Sequence, residues 1–344
     1  MLSPMFSLLL IPFLTAMFLA INMGGSGTSP SFSTAYGANL VRKDLIPGLF
    51  GIFVFLGAIV AGKKVALTIG KGILPGEQMD FVLTSIIIFA VSISLFIANL
   101  LKVPQSTSQA TVFALVGPAI YFNVLQTDKL FFEIIPTWFI LPFISFLFAL
   151  FFGKIILYQK KRKITKFETI ETHPSLRSIV IASSCYVAFA IGANNVANAA
   201  GPIASMVLQE LDISSTNDNF LLVIILSTLI IAPCFGIGSS ILGYRVVQTT
   251  GKEIAELGPI GATLISIITA TLLLFASTTK GLPTSLVQLN TGAIIGLGIA
   301  KIGWKEIFKL SSVKKLFSIW IIAPLIAFAL SLFLTLLADK IGLL

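Results

Sequence analysis

Residues 191–202 decide how the chain folds, and they read Ile191-Gly192-Ala193-Asn194-Asn195-Val196-Ala197-Asn198-Ala199-Ala200-Gly201-Pro202. This run places three asparagines inside an apolar span. Hydrocarbon offers an amide no hydrogen-bond partner, so each asparagine must bind a protein group or a ligand. The small residues let another backbone or an ion approach closely. Gly192 and the Gly201-Pro202 pair are positions where a membrane helix can break. The run indicates half of an ion and anion site in a transporter, or alternatively a small-residue interface between packed helices.

The composition is that of a membrane protein. Of 344 residues, 56% are hydrophobic and 11% are charged, and the mean hydropathy is +1.00. A soluble globular protein of this size does not need so apolar a composition. The net charge of +9 comes from basic residues clustered in loops. That pattern is typical of membrane orientation and not of nucleic-acid binding.

The residues give little support to enzymatic chemistry. Cys185 and Cys234 lie in apolar spans and form neither a disulfide framework nor a metal motif. His173, the only histidine, lies in a polar linker. A histidine-containing triad or a multi-histidine metal site within the membrane is therefore excluded. We expect a protein that is not an enzyme and needs no cofactor.

The apolar segments predict an all-α polytopic fold, because a spanning helix needs about 20 apolar residues. Pro104 and Pro283 each precede polar residues that suit the start of a half-helix, so each half should contain a helical hairpin. We expect broken spans at 4–41 and 176–208 and an interruption at Gly117-Pro118. The other expected segments are 45–62, 81–101, 104–121, 131–157, 219–243, 258–277, a half-helix from Pro283, and 316–338.

The two halves repeat one pattern. Gly24 and Gly192 lie 168 residues apart, and Pro104 and Pro283 lie 179 apart, close to half the chain. Five crossings per half would invert the second copy relative to the first. We expect a first membrane repeat at 1–157, a basic cytoplasmic linker at 158–175, and a second membrane repeat at 176–344. Inverted repeats with broken helices are typical of secondary transporters.

Basic residues orient this scheme in the cell membrane. The linker 158–175 and the loop 301–315 fall on the same positive side, which places both termini outside the cell. Lys63, Lys64 and Lys71 are an exception, because the scheme places them outside, and they count against the topology.

With these motifs the chain resembles the inorganic phosphate transporter (PiT) family over nearly its whole length. That family carries Gly-Ala-Asn-Asp-Val-Ala-Asn-Ala in each half and a Pro-Val-Ser-Thr-Thr-His-like hairpin motif, and residues 192–199 match the first of these closely. The resemblance implies a cation-coupled importer of tetrahedral oxyanions with inverted repeats. A homodimer is common for such folds.

The departures from the family pattern remove its charged side chains. Asn195 and Gly27 stand where the two signature aspartates would be, and Ser26 and Pro30 replace the asparagines of the first signature. Gln109 and Gln288 stand at the hairpin histidine position, while Leu286 and Val287 replace two hydroxyl residues. This set resembles the sulfate-permease branch of the family.

The missing carboxylates favour sulfate as substrate. Phosphate at neutral pH still carries a proton, and a carboxylate is a good acceptor for it. Sulfate carries no proton at neutral pH, and a nearby carboxylate would repel it. None of the fourteen Asp and Glu residues falls in the four motif segments. Backbone N–H groups at half-helix N-termini, worth up to ~2 kcal/mol per end when partly buried, could hold a dianion without a basic side chain.

The candidate site residues follow from these motifs. Anion-binding candidates are Ser106, Thr107 and Ser108 from the first hairpin, Thr284 and Ser285 from the second, Asn194 and Asn195 at the centre, and Gly24, Gly25 and Ser26 from the opposite half. Asn198, Gln109 and Gln288 are candidates for the coupling ion or for supporting the first set. For the hairpin residues, ordinary N-capping is the alternative.

The residues leave the coupling ion and the transport class open. Losing both signature aspartates weakens a sodium site, and no buried Asp, Glu or His is present in the motifs to carry a proton. A proton that travels with the anion is slightly favoured over sodium. A phosphate symporter is the nearest alternative, an anion channel is a further one, and a membrane-embedded enzyme is poorly supported.

Overall fold

Apolar helices build the fold. A computed structural model of the protein describes residues 4–101, 105–162, 174–214, 216–243, 258–307 and 311–344, and these ranges contain helices and turns without a strand. Seven helical stretches among them are long and apolar enough to cross a membrane. They are Leu9–Ser33, Lys43–Ala61, Phe81–Leu100, Lys129–Lys161, Pro174–Glu210, Asp218–Gly243 and Gly258–Thr279. The prediction of an all-α, multi-pass membrane protein is confirmed.

The helices follow the predicted segments closely. In chain order they are α1 Pro4–Gly37, α2 Ile46–Ala61, α3 Lys63–Lys71, α4 Phe81–Leu100, α5 Thr107–Tyr121, α6 Ile135–Lys161, α7 Pro174–Asn195, α8 Ala197–Glu210, α9 Asn217–Ile231, α10 Pro233–Gly238, α11 Gly258–Thr279, α12 Leu286–Ile302, α13 Trp304–Ile307 and α14 Ser311–Lys340. Short 3-10 turns cover Lys43–Leu45 and Gly76–Gln78, and π-helical turns cover Lys129–Ile134 and Ser239–Gly243. Pro104 and most of the linker, including His173, lie outside the described residues.

The first predicted break is wrong, because α1 runs without interruption through Gly24 and Pro30. Hydroxyl side chains donate back to carbonyls of the preceding turn, as Thr28 does to Gly24 at 2.6 Å and Ser31 does to Gly27 at 3.0 Å. Close packing of Gly24 against the Phe235 backbone adds contacts that offset the poor helix propensity of glycine. Tertiary packing therefore overrides the local sequence signal.

The asparagine run is interrupted only at Val196, between α7 and α8, where the backbone keeps helical dihedral angles and the Val196 carbonyl accepts from the Ala200 N–H at 3.0 Å. Pro202, where the sequence also suggested a break, lies inside α8, and its missing N–H leaves the Asn198 carbonyl without a helical donor. The predicted interruption at Gly117-Pro118 is also absent. There Ser331 of α14 donates to the freed carbonyl of Ala114 at 2.6 Å, so the helix continues past the proline.

Glycines let helices of the two halves touch backbone to backbone. A methyl group on Gly192 of α7 would overlap the Val54 carbonyl of α2, and one on Gly57 of α2 would overlap the Phe189 carbonyl of α7. Gly24 of α1 meets Phe235 of α10 in the same way. The Ile21 carbonyl of α1 also meets Gly238 of α10. The α2–α7 crossing ends two residues before Asn194 and so fixes the start of the asparagine run against the first half.

A second set of contacts fixes the hairpin helices. Gly292 of α12 packs against the Pro142 carbonyl of α6. The Trp138 indole Nε1–H donates to the Pro283 carbonyl at 2.8 Å, and Ser145 donates to the Leu289 carbonyl at 2.8 Å. Through these bonds α6, from the first half, positions the start of α12, from the second.

Two carboxylates join α8 to α4 at one end of the bundle. Asp80 caps α4 by accepting from the Leu83 N–H at 2.7 Å, and Glu210 accepts from the Phe81 N–H at 2.7 Å. Burial raises the pKa of Asp80, the Leu83 N–H acts in the opposite direction, and the charge of Glu210 raises it further. The N-terminus of α4 thus donates hydrogen bonds to one carboxylate from each half of the chain.

Candidate functional site

Asn194, the last but one residue of α7, is the hub where the two hairpins meet. It is fully buried. Its Oδ1 accepts from Ser108 Oγ at 2.9 Å and from the Thr284 N–H at 3.3 Å. Its Nδ2 donates to Ser277 Oγ at 2.9 Å and to the Leu282 carbonyl at 3.2 Å. One amide therefore links the start of α5 to the loop before α12, and all its hydrogen-bonding capacity is used.

The N-termini of α5 and α12 converge on this hub. Ser106 caps α5 by accepting from the Gln109 N–H at 3.3 Å. Ser285 caps α12 by accepting from the Gln288 N–H at 3.2 Å. N-capping, the alternative role for these serines, is thus present, although a capping hydroxyl keeps its own hydrogen for another acceptor. The first N–H groups of each helix lack intrahelical acceptors and direct partial positive charge toward the hub.

The remaining hydroxyl candidates are also buried near the hub. Thr107 is the first residue of α5 and is 5% exposed. Thr284 is 1% exposed, and its Oγ1 donates to the Leu282 carbonyl at 3.1 Å. Ser108 also lies within 3.5 Å of Asn198 Nδ2. The structure therefore brings together the predicted residues of both hairpins and two of the three asparagines.

Four buried amide oxygens around these helix starts have no hydrogen-bond partner among the described residues. They are the Oε1 atoms of Gln105, Gln109 and Gln288 and the Oδ1 atom of Asn198. Buried polar atoms in native proteins nearly always have a partner, which can be a water molecule, an ion or a ligand. Each of these oxygens is therefore able to bind a cation or to accept from a hydrogen-bond donor.

The other predicted residues are not among the hydrogen-bond partners of Asn194. Asn195 is half-buried. Gly24 packs on Phe235, Gly25 lies against Leu242, and Ser26 donates to the Met23 carbonyl. Their role as anion contacts stays a prediction, since these contacts are those of helix packing.

Sequence reasoning missed three groups that complete the site. Ser277, near the end of α11, and the Leu282 carbonyl bind the hub amide. Gln105 precedes the Ser106 cap and donates to Ser94 Oγ at 2.7 Å. Gln105 could have been found, because it occupies the position in the first hairpin that Thr284 occupies in the second. Ser277 carries no local signal.

The hub is enclosed and contains no ionisable side chain. The residues that bind Asn194 and those at 105–109 and 284–288 contribute amides, hydroxyls, aliphatic groups and backbone. Two surface cavities, one between α2 and α10 and one beside Arg42 and Arg177, lie elsewhere. The side chains at the hub are therefore buried around a neutral, polar centre that is rich in hydrogen bonds.

Comparison with known proteins supports a common origin over almost the whole chain. A family model described as the phosphate transporter family matches residues 23–331. The sulfate permease CysP of Bacillus subtilis is 33% identical over 320 residues, which cover 92% of this chain and 84% of that protein. A Pyrococcus furiosus protein that carries the name of a phosphate permease is 27% identical over 378 residues, covering 88% and 89%.

A solved structure shares the fold. It is titled "The sodium-dependent phosphate transporter", and it superposes with a TM-score of 0.84 at 22% identity. The match covers 97% of this chain and 100% of that one. At this level of identity the likeness extends to the fold alone.

Proposed function

This chain belongs to the phosphate transporter family, and from that premise we propose that it is a secondary transporter that imports a tetrahedral oxyanion, sulfate before phosphate. The observation that carries the choice of sulfate is the neutral hub. The two helix starts that Asn194 joins offer hydrogen bonds without a carboxylate that would repel a dianion. The sulfate permease of Bacillus subtilis is similar over 92% of the chain, which supports the same choice.

The proposed anion site lies between the two helix starts. Backbone N–H groups there and the hydroxyls of Ser106, Thr107 and Ser285 would bind the oxyanion. Ser108 and Thr284 would act with Asn194, which holds the hairpins together. Asn195, half-buried beside the break, and the Gly24-Gly25-Ser26 run are proposed to complete the site from the other side.

The proposed architecture is two inverted repeats, 1–157 and 176–344, joined by a cytoplasmic linker at 158–175. Equivalent contacts support it. Gly24 meets Phe235 as Gly192 meets Val54, and Ile21 meets Gly238 as Phe189 meets Gly57. Ile21 and Gly24 each lie 168 residues before their counterparts, while Val54 and Gly57 each lie 181 before theirs. Such an exchange of contacts is expected where two similar halves are related by a twofold axis.

Phosphate is a second candidate because of one observation. The unpaired oxygens of Gln109 and Gln288 lie at the helix starts, and either could accept the proton that phosphate carries. An amide accepts this proton less well than a carboxylate, so sulfate is placed first.

The coupling ion also has two candidates. The missing signature aspartates favour a proton slightly, as the sequence suggests. The four unpaired amide oxygens are a specific argument for sodium, which transporters bind through oxygen atoms. We place sodium first on that ground and expect a sodium gradient at fixed pH to drive sulfate into proteoliposomes. Uptake that follows a pH gradient in sodium-free buffer would select the proton. Uptake that never exceeds the external concentration under either gradient would indicate a channel.

Replacing Ser106 separates anion binding from capping. In Ser106→Ala the cap is lost, at about 1 kcal/mol of stability, and so is a hydroxyl donor. We expect the KM for sulfate to rise about three- to tenfold while the amount of protein in the membrane is unchanged. Ser106→Thr keeps both functions and is the matched control. A lower unfolding temperature with an unchanged KM would show that Ser106 only caps the helix.

A further inference from the structure

Three lysines surround the loop that carries the second hairpin to the hub. Lys64 Nζ donates to the Thr279 carbonyl at 3.0 Å, and a methyl group on Gly281 would lie 2.5 Å from the Lys64 carbonyl oxygen. Lys63 and Lys280 adjoin these contacts in sequence. All three lysines are exposed, and none forms an ion pair with another described residue. Three positive charges therefore lie where α2 ends, α3 begins and α11 ends.

This cluster lies close to the proposed anion site. Gly281 precedes Leu282, whose carbonyl binds Asn194, and Thr284 follows two residues later. Three residues of chain span at most about 10 Å. That limit, which joins the Cα atoms of Gly281 and Thr284, is comparable to the Debye length of ~8–10 Å at physiological salt. Charges on Lys64 and Lys280, which contact or adjoin this loop, are therefore only partly screened from an anion at the hub.

The same lysines oppose the orientation rule. The proposed topology places Lys63 and Lys64 on the outer side, where basic residues are not expected. Lysines near the ends of membrane helices extend their charged groups into the water at the interface, where they can contact a soluble anion. The outer position of these lysines and their exposure are both explained if their charge attracts an anion that approaches from the outer side.

We propose that Lys63, Lys64 and Lys280 form a cationic rim that collects a divalent tetrahedral oxyanion at the outer entrance of the site. The proposal rests on the proposed function and adds to it the residues that capture the substrate. Lys64 is also a positioning residue, because its bond to Thr279 holds the end of α11. Lys63 and Lys280 act through charge alone. A cleft lined by one sign of charge raises the local concentration of its substrate and loses this effect in salt.

Coulomb's law sets the size of the effect. For a dianion about 10 Å away in water, each lysine raises the local concentration about 2.7-fold at ~10 mM ionic strength and about 1.5-fold at ~150 mM. Removing two lysines should therefore raise the KM about sevenfold at low salt and about twofold at high salt. The maximal rate should not change, because the hub is intact.

The test measures labelled sulfate uptake by the full chain in phosphatidylcholine proteoliposomes at both ionic strengths. The double variant Lys63→Gln/Lys280→Gln leaves the Lys64–Thr279 bond in place. We expect the salt-dependent rise in KM stated above. The charge-preserving variant Lys63→Arg/Lys280→Arg should behave as the wild type, as should Lys340→Gln, which removes an exposed charge at the end of α14.

Several outcomes would contradict the proposal of a cationic rim. A KM unchanged by the double variant would do so, as would a change of equal size at both ionic strengths, which indicates a structural effect. An effect seen only when anionic lipid is added would assign the lysines to lipid headgroups. Wild-type uptake of phosphate instead of sulfate would remove the proposed substrate but leave the rim testable with phosphate. Absence of any oxyanion uptake by the wild type would end both proposals.

Discussion

Asn194→Asp should abolish sulfate uptake, lowering its rate at least ~100-fold. The substitution keeps the shape of the side chain but replaces Nδ2–H₂ with an oxygen that faces the Leu282 carbonyl and Ser277 Oγ. Ser277 already donates to the Leu273 carbonyl at 2.8 Å and cannot easily compensate. Each lost buried hydrogen bond costs about 1–3 kcal/mol, and a new negative charge would repel a dianion. A total of about 3 kcal/mol corresponds to a factor of ~100.

Initial rates of labelled sulfate uptake, normalised to the protein present in the vesicles, check this prediction. Asn219→Asp makes the same chemical change at the partly buried start of α9, where the amide donates to Ser214, and should have no effect. Should Asn194→Asp not accumulate, Ser277→Ala removes one hub bond without adding charge and should lower uptake about tenfold. Uptake within threefold of wild type in both variants would show that the hub is not the site.

Gly192→Ala should destabilise the fold by about 3 kcal/mol and lower the unfolding temperature in detergent. The added methyl group would overlap the Val54 carbonyl, and neither atom belongs to a flexible side chain. Overpacking of this kind costs typically 1–3 kcal/mol, and the upper part of the range applies where backbone must move. Since α7 carries Asn194 directly after this contact, uptake should fall with stability.

Gly48→Ala is the matched control, because Gly48 lies in the membrane helix α2 with no atom within 4 Å of an added methyl group. There alanine should stabilise the helix by about 0.5–1 kcal/mol. The two substitutions are the same chemical change, and we expect them to shift the unfolding temperature in opposite directions. Equal shifts would mean that the α2–α7 crossing does not depend on the close backbone contact.

Much of the helical fold could be predicted from hydropathy, since segments 45–62 and 81–101 match α2 and α4 within a residue or so. The positions at which helices break could not be predicted from hydropathy. Glycine and proline mark positions where a helix can end, but whether it does depends on partners far away in the sequence. Pro118 is accommodated by Ser331, and Gly24 by Phe235.

The composition of the candidate site was predictable where local chemistry defines it. Ser106 and Ser285 follow from the hairpin motif, and Asn194 follows from the cost of burying an amide. The hub bonds to Ser277 and Leu282 could not be foreseen, because hydroxyls and carbonyls are common and only the fold selects among them. Lys63 and Lys64 were visible, with Lys71, as exceptions to the orientation rule, and the contact of Lys64 with the loop before the second hairpin supplies a reason for two of them.

The central claim is that a neutral site without carboxylates selects sulfate, and a competition experiment tests it most directly. Labelled sulfate uptake into proteoliposomes would be measured with and without a large excess of phosphate at neutral pH. We expect sulfate to accumulate and phosphate to leave the rate unchanged, because the site has no strong acceptor for the phosphate proton. Strong inhibition by phosphate, or uptake of phosphate alone, would contradict the claim and show that amide oxygens suffice to bind that proton.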